Sequence, residues 1–166
     1  MTAGPAQVER RELAPGLSIA RAVTGMWQVA DMERDGRVID IEAVAGAMAP
    51  YVNAGFTTFD MADHYGSAEV VAGRFRAMAA AAGEARVELL TKWVPKPGPV
   101  SRADVRTAVE RALGRLQGRT IDLMQFHAWS FADPRWLDAL GYLDELRAEG
   151  MIRHLGLTNF DTAHLR

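Results

Sequence analysis

Cysteine is absent from this sequence. That excludes disulfides, thiolate metal sites and cysteine nucleophiles, and it agrees with a reducing compartment. No apolar run approaches the roughly 18 residues that a membrane span requires. The N-terminus reaches Glu9, Arg10 and Arg11 without the apolar stretch of a secretory leader. The expected location is therefore cytoplasmic, with no membrane partner. An excess of one charge is also missing: 19 Lys and Arg stand against 21 Asp and Glu, a net charge of -2, with the basic residues spread along the chain. Nucleic acid is accordingly not an expected partner. The four histidines show no His-x-x-x-His spacing, so no metal site is expected. What remains is 166 residues, 49% hydrophobic and 24% charged, the composition of one globular domain that acts on a small molecule.

Ala14-Pro15-Gly16-Leu17 predicts a tight turn, with Pro fixing the first central position and Gly supplying the positive φ of the second, hence a short hairpin over residues 1–18. From Ile19 the pattern alternates short strands with amphipathic helices, as a parallel sheet covered by helices requires. Five strands are predicted: Ala20 to Val29, Phe56 to Asp60, Val87 to Lys92, Ile121 to His127 and Ile152 to Leu157. Between them Asp40 caps a helix through Ile41, Val44, Met48 and Val52 that Pro50 should kink and Gly55 should stop. A second helix starts near Ser67 and buries Val71, Phe75 and Met78. Ser101 and Asp104 have the form of a capping box ahead of Val105, Val109, Leu113 and Leu116. Asp133-Pro134 reads as N-cap and first-turn proline of a helix through Leu137, Leu140, Leu143 and Leu146, closed by Gly150. The run from Pro95 to Pro99 is too rich in proline for helix or paired strand.

In a barrel of such units, catalytic groups gather on the loops after the strands, because the C-terminal ends of all strands share one face. Successive strands here end in Asp60, Lys92, His127 and the pair Thr158-Asn159, with Tyr65 five residues after Asp60. These types make sense together. A phenol is a reluctant acid at neutral pH, and an ammonium within about 4–6 Å typically lowers such a pKa by roughly 1–3 units. Lys92 could supply that charge, Asp60 would keep the lysine protonated and placed, and His127 could hydrogen-bond a carbonyl oxygen while Tyr65 donates a proton to it. Trp27, Trp93 and Trp129 follow strand ends and are candidate walls of a substrate pocket. Glu69 is expected to cap or charge-stabilise the second helix near its N-terminus.

These motifs resemble the aldo-keto reductase family. Asp60-Met61-Ala62-Asp63-His64-Tyr65-Gly66 matches its Asp-x-Ala-x-x-Tyr-Gly stretch, Thr91-Lys92-Trp93 its strand-end lysine, and Asp122-Leu123-Met124-Gln125-Phe126-His127 its strand-end histidine. Gly150 through Phe160, which includes Gly156-Leu157-Thr158-Asn159, matches a later signature. The resemblance implies an α/β fold, a partial (β/α)8 TIM barrel of about five strands and four to five helices over residues 19–166, and NAD(P)H-dependent reduction of an aldehyde or ketone. It implies Asp60, Tyr65, Lys92 and His127 as catalytic tetrad, Thr158 and Asn159 as the pair that holds the nicotinamide carboxamide, and Met26 and Trp27 beside cofactor ribose and substrate. NADP(H) is the expected cofactor ahead of NAD(H). Met61 stands where the family usually has Ser or Thr; strand neighbours point to opposite faces, so its side chain is expected to pack away from the site.

A whole barrel of this type has eight strands and about 250 residues. The sequence thus reads as a partial record, with its first and fifth strands as open edges through which it could self-associate. Two alternatives to the reductase stay open: a cofactor-binding regulatory subunit, since the resemblance extends to potassium-channel β subunits, and an inactive fragment.

Overall fold

A computed structural model describes residues 8–83, 86–96 and 98–166. Pro97, in the proline-rich run, lies outside the described residues, and the rest of that run is neither helix nor strand. The chain opens with an antiparallel hairpin of β1 (Arg10–Ala14) and β2 (Leu17–Ala20). Gly16 takes φ +75° in its turn, as the Pro-Gly pair demands. β2 runs two residues past the expected end of the hairpin at residue 18.

A five-stranded parallel sheet follows in the order β3 (Thr24–Gly25), β4 (Thr58–Asp60), β5 (Glu88–Trp93), β6 (Ile121–His127) and β7 (Ile152–Thr158). Sequential order with helical crossovers is what βαβ units produce. The long helices are α4 (Ala68–Ala82), α5 (Arg102–Arg115) and α6 (Trp136–Ala148). One face of the sheet packs on them through Phe59, Leu89, Met124 and Phe126, against Val71, Phe75, Val109 and Leu143, all nearly or wholly buried. The other face carries Leu90 and Leu123, which Leu17 of the hairpin covers. Arg10 ties the hairpin down by donating to Glu88 at 2.9 Å and to Thr57 at 2.7 Å. The hairpin therefore covers apolar residues at the N-terminal part of the inner face and leaves the C-terminal strand ends clear.

Three expectations are corrected. The first strand does not run from Ala20 to Val29: Thr24–Gly25 alone pairs with β4, and Trp27–Met32 forms a short helix, α1. The short mixed stretch from Ala20 to Val29 has neither a clear two-residue nor a clear 3.6-residue period, so periodicity cannot separate strand from short helix there. Second, Asp40 caps a helix as expected, accepting from the N–H groups of Glu42 and Ala43, but that helix splits into α2 (Ile41–Gly46) and α3 (Ala49–Asn53). Pro50 lies in the first turn of α3, where its missing N–H costs nothing, so it begins a helix rather than kinking one. Third, Asp133 and Pro134 form a turn ahead of α6, whose cap position is Arg135 with no side-chain cap; Leu137 is consequently exposed. β4 also starts two residues later than expected. The Ser101–Asp104 capping box is present in full.

Gly73 marks a close approach of α4 to the end of α5. A Cβ there would lie 2.1 Å from the carbonyl oxygen of Arg115 and 2.8 Å from the Cα of Leu116. Backbone cannot swing aside as a side chain can, so Gly73→Ala should cost about 1–3 kcal/mol through forced separation of α4 from the end of α5. Gly141, in α6 with open space around it, provides the control: Gly141→Ala should stabilise by about 0.5–1 kcal/mol. Opposite shifts in melting temperature for the two variants are the expected result, and equal shifts would contradict the packing account.

Candidate active site

Strand alternation sets the site. In β5, Leu89, Thr91 and Trp93 face the helices while Leu90 and Lys92 face the other way; in β6, Leu123, Gln125 and His127 share that inner face. Asp60 ends β4 on the same side, between outward Phe59 and Met61, both fully packed in the core. The expectation for Met61 thus agrees with its burial.

Lys92 Nζ lies 2.5 Å from Asp60 Oδ2 and donates at 3.0 Å to the carbonyl oxygen of Met61. The lysine side chain is 9% exposed and that of Asp60 30%, so the pair sits at the mouth of the inner face rather than in free solvent. Nζ is 5.4 Å from the centroid of the Tyr65 ring. Trp27 meets that ring edge-on at 4.9 Å, and His64 does so at 4.8 Å. His127 lies 6.4 Å from His64 and is covered by Trp129 at 4.7 Å. The structure thus gathers Asp60, Tyr65, Lys92 and His127 at one end of the sheet from three separate stretches of sequence.

Two features of this cluster were not visible in the sequence. Gln125 donates from Nε2 to Asp60 Oδ1 at 3.1 Å and accepts from the Thr158 hydroxyl at 2.9 Å, joining the ion pair to the end of β7. Its inward place in β6 was readable from the two-residue period it shares with His127. Glu33, in the loop after α1, accepts from the N–H and hydroxyl of Ser67 and so holds the start of α4, just after Tyr65. No local pattern in the sequence links residues 34 positions apart. Glu69 is the acidic residue in the first turn of α4, where negative charge suits the helix N-terminus, but it does not cap the helix: it is 2% exposed, accepts from Thr91 at 2.6 Å and is 3.2 Å from Arg115, fastening α4 to β5 and α5.

The electrostatics correct one expectation. The Tyr65 phenol is held above its ordinary pKa, first by burial and then by the negative charge of Asp60. The Lys92 ammonium is matched by Asp60 at bonding distance, so the phenol faces a neutral pair rather than an isolated cation. His127 is pushed below its ordinary pKa, chiefly by burial and then by His64 and Lys92, against a smaller opposing effect of Asp63. It is a neutral imidazole at neutral pH, and its Nδ1 is buried without a partner.

The remaining expected contacts divide. Trp27 and Trp129 are exposed and border Tyr65 and His127. Trp93 does not reach the site: it is 6% exposed, on the helix-facing side of β5, and packs on Phe126. The Met26 side chain is likewise turned into the core, with its N–H bound to the Asp60 carbonyl and its own carbonyl accepting from Val29. Asn159 adopts φ +70° and donates to the carbonyl oxygen of Ala128 at 3.1 Å, which fixes its amide beside Thr158. Its Oδ1 and the Thr158 hydroxyl oxygen remain as acceptors, a set that fits the amide N–H groups of a nicotinamide carboxamide. Among the described residues no group of three or more histidines and carboxylates could hold a metal ion, and no helix is long and apolar enough to cross a membrane.

With this geometry in place, comparison with known proteins is direct. The family model "Aldo/keto reductase family" matches residues 22–166. The chain is 33% identical over 128 residues to aflatoxin B1 aldehyde reductase member 2 of Homo sapiens, covering 75% of this chain and 35% of that protein. It is 32% identical over 158 residues to an aldo-keto reductase of Mycobacterium sp. (strain KMS), covering 93% and 51%. Among solved structures, an aldo-keto reductase from Klebsiella pneumoniae in complex with NADPH superposes with a TM-score of 0.75 at 25% identity over 95% of this chain and 52% of that one. An aldo-keto reductase of Bombyx mori in complex with NADP gives 0.72 at 23% identity. The chain belongs to the aldo/keto reductase family, and its fold is a partial TIM barrel. It spans about a third to a half of the length of the relatives it matches.

Proposed function

We propose that this chain supplies the catalytic face of an NADP(H)-dependent oxidoreductase that reduces an aldehyde or ketone to an alcohol, acting in the cytoplasm. The observation that carries the reading is the convergence of Tyr65, the Lys92–Asp60 pair and a neutral His127 at the C-terminal ends of neighbouring strands. Nicotinamide, when bound, supplies a hydride. Support for NADP(H) comes from the Klebsiella pneumoniae and Bombyx mori structures, which were solved with that cofactor.

The chain's own residues account for the remaining chemistry. Thr158 and Asn159 hold the carboxamide end of the cofactor. His127, being neutral, donates a hydrogen bond to the carbonyl oxygen without losing its proton, and so orients the substrate. The Tyr65 hydroxyl delivers the proton as negative charge develops on that oxygen. Lys92, fixed by Asp60 at 5.4 Å from the ring centroid, offsets part of the negative charge that donation leaves on the phenol, while Asp60 and burial keep the resting phenol protonated. Trp27 and Trp129 screen the reacting atoms from water on two sides.

The reading is tested by NADPH oxidation with a panel of aldehydes, in the chain alone and in a complete eight-stranded barrel that carries it. Turnover in the complete barrel supports a reductase. Tight NADPH binding with no turnover on any aldehyde would overturn it in favour of a cofactor-binding regulatory subunit.

Gln125 acts here as a positioning residue between the Asp60 carboxylate and Thr158. Gln125→Leu removes one hydrogen bond from Asp60, which keeps its bond from Lys92, and leaves the Thr158 hydroxyl without its partner; two losses of about 1 kcal/mol each should make kcat/KM fall about thirtyfold. Gln125→Glu, which places a second carboxylate against Asp60, should do worse. If both variants matched the parent in steady-state kinetics, Gln125 would have no part in the site.

A further inference from the structure

At the opposite end of the sheet from Tyr65, where the strands begin, the guanidinium groups of Arg76, Arg86, Arg119 and Arg153 line a cavity of about 440 Å³. Asp122, at the start of β6, is the single carboxylate among its lining residues. Oδ1 of Asp122 accepts from Arg86 at 2.5 Å and lies 3.1 Å from Arg153; Oδ2 accepts the Leu89 N–H at 3.2 Å and is 3.6 Å from Arg76. One carboxylate with its oxygens so engaged cannot serve four guanidiniums, and the cavity keeps a formal excess of three positive charges among the described residues.

Arg76 shows the consequence. Its side chain is 21% exposed, and its Nη2 is buried with no hydrogen-bond partner. Burial, reinforced by Arg86 and Arg153 and opposed by Asp122, holds its pKa below the ordinary value. Arg119 makes no ion pair with Asp122 and is exposed at the rim. A buried guanidinium N–H without a hydrogen bond, paired only at 3.6 Å with a carboxylate shared by other arginines, is costly and is normally relieved by a further acceptor.

We propose that this pocket binds a phosphate group, either inorganic phosphate or a small phosphate monoester. Guanidinium forks match the oxygens of phosphate in paired hydrogen bonds, and a dianion answers an excess of three positive charges better than a single carboxylate does. The cavity is larger than phosphate itself and leaves room for a small organic ester. A concave, bounded cluster on a chain of net charge -2 is also unlike the extended basic stripe that nucleic acid needs. The pocket lies at the strand ends remote from the catalytic groups, so it stands or falls independently of the reductase reading.

The test is a titration of inorganic phosphate into the chain at constant ionic strength, with chloride as the exchanging ion, followed by arginine Nε–H NMR shifts and by melting temperature. A saturable transition centred in Arg76, Arg86, Arg119 and Arg153 is expected. Arg119→Gln, which spares every contact to Asp122, should weaken the midpoint about tenfold, the equivalent of one charge-assisted hydrogen bond, while the unliganded melting temperature stays unchanged. A response that never saturates, or an identical midpoint in Arg119→Gln, would reduce the cluster to a clamp on Asp122 and overturn the proposal.

Discussion

Tyr65→Phe, made in a complete barrel that carries this chain, should lower kcat for aldehyde reduction by about 10²–10⁴-fold, the usual contribution of a positioned acid. NADPH binding should persist, because Thr158 and Asn159 are untouched. The phenyl ring keeps its edge-on contact with Trp27 at 4.9 Å, so folding is not expected to suffer. The pH profile sharpens this result. Burial and Asp60 raise the Tyr65 pKa, so the phenol stays protonated further into alkali; burial lowers that of His127, so the imidazole stays neutral further into acid. Aldehyde reduction should therefore be flat between about pH 6.5 and pH 10, the ordinary values that the two groups straddle. Alcohol oxidation needs the phenolate and should still be rising at the alkaline end. A reduction rate that declines steadily from neutral pH upward would mean that Lys92 dominates the phenol after all. Variant kcat unchanged from the parent would remove Tyr65 from the chemistry.

The second large effect falls on stability. Lys92→Met removes the cation from a pair whose lysine is 9% exposed and leaves Asp60 with only Gln125 as a partner. Breaking a buried pair by deleting one member costs about 3–5 kcal/mol, and the 30% exposure of Asp60 places this case near the lower figure. For a chain of this size, about 3 kcal/mol corresponds to a melting temperature lower by roughly 6–12 °C. Lys92→Met/Asp60→Leu should recover part of that loss, since no charge is then stranded, yet should remain without reductase activity. Thermal melts of the two variants separate the readings: a double variant less stable than the single one would show that the pair is held by packing and not by charge.

How far the site could be read in advance depended on whether its geometry was local. Asp60, Lys92 and His127 were legible because each ends a strand, and parallel strands carry their ends to one face whatever lies between. The capping box at Ser101 and the turn at Gly16 were legible because a few adjacent residues close their own hydrogen bonds or dihedrals. Trp93 also follows a strand end, but the alternation that points Lys92 inward points this neighbour outward into the core, so position at a strand end does not by itself place a side chain at the site. Around Met26 and Trp27 the sequence has no period that separates strand from helix. They form the cap and first residue of α1, held by the tie from the Met26 N–H to the carbonyl oxygen of Asp60.

By itself the amino-acid order determined the alternation of strands and helices, the parallel sheet, the family and the set of residues that meet at its C-terminal edge. Those properties follow from short-range periodicity and from fixed motifs, which neighbouring residues settle among themselves. The tertiary structure alone decided the sign of the Tyr65 pKa shift, the bridge through Gln125, the fastening of Tyr65's loop by Glu33 and the crowding of four arginines on Asp122. Each of these depends on distances between segments brought together only by packing, and charge and burial act through those distances rather than through position in the chain.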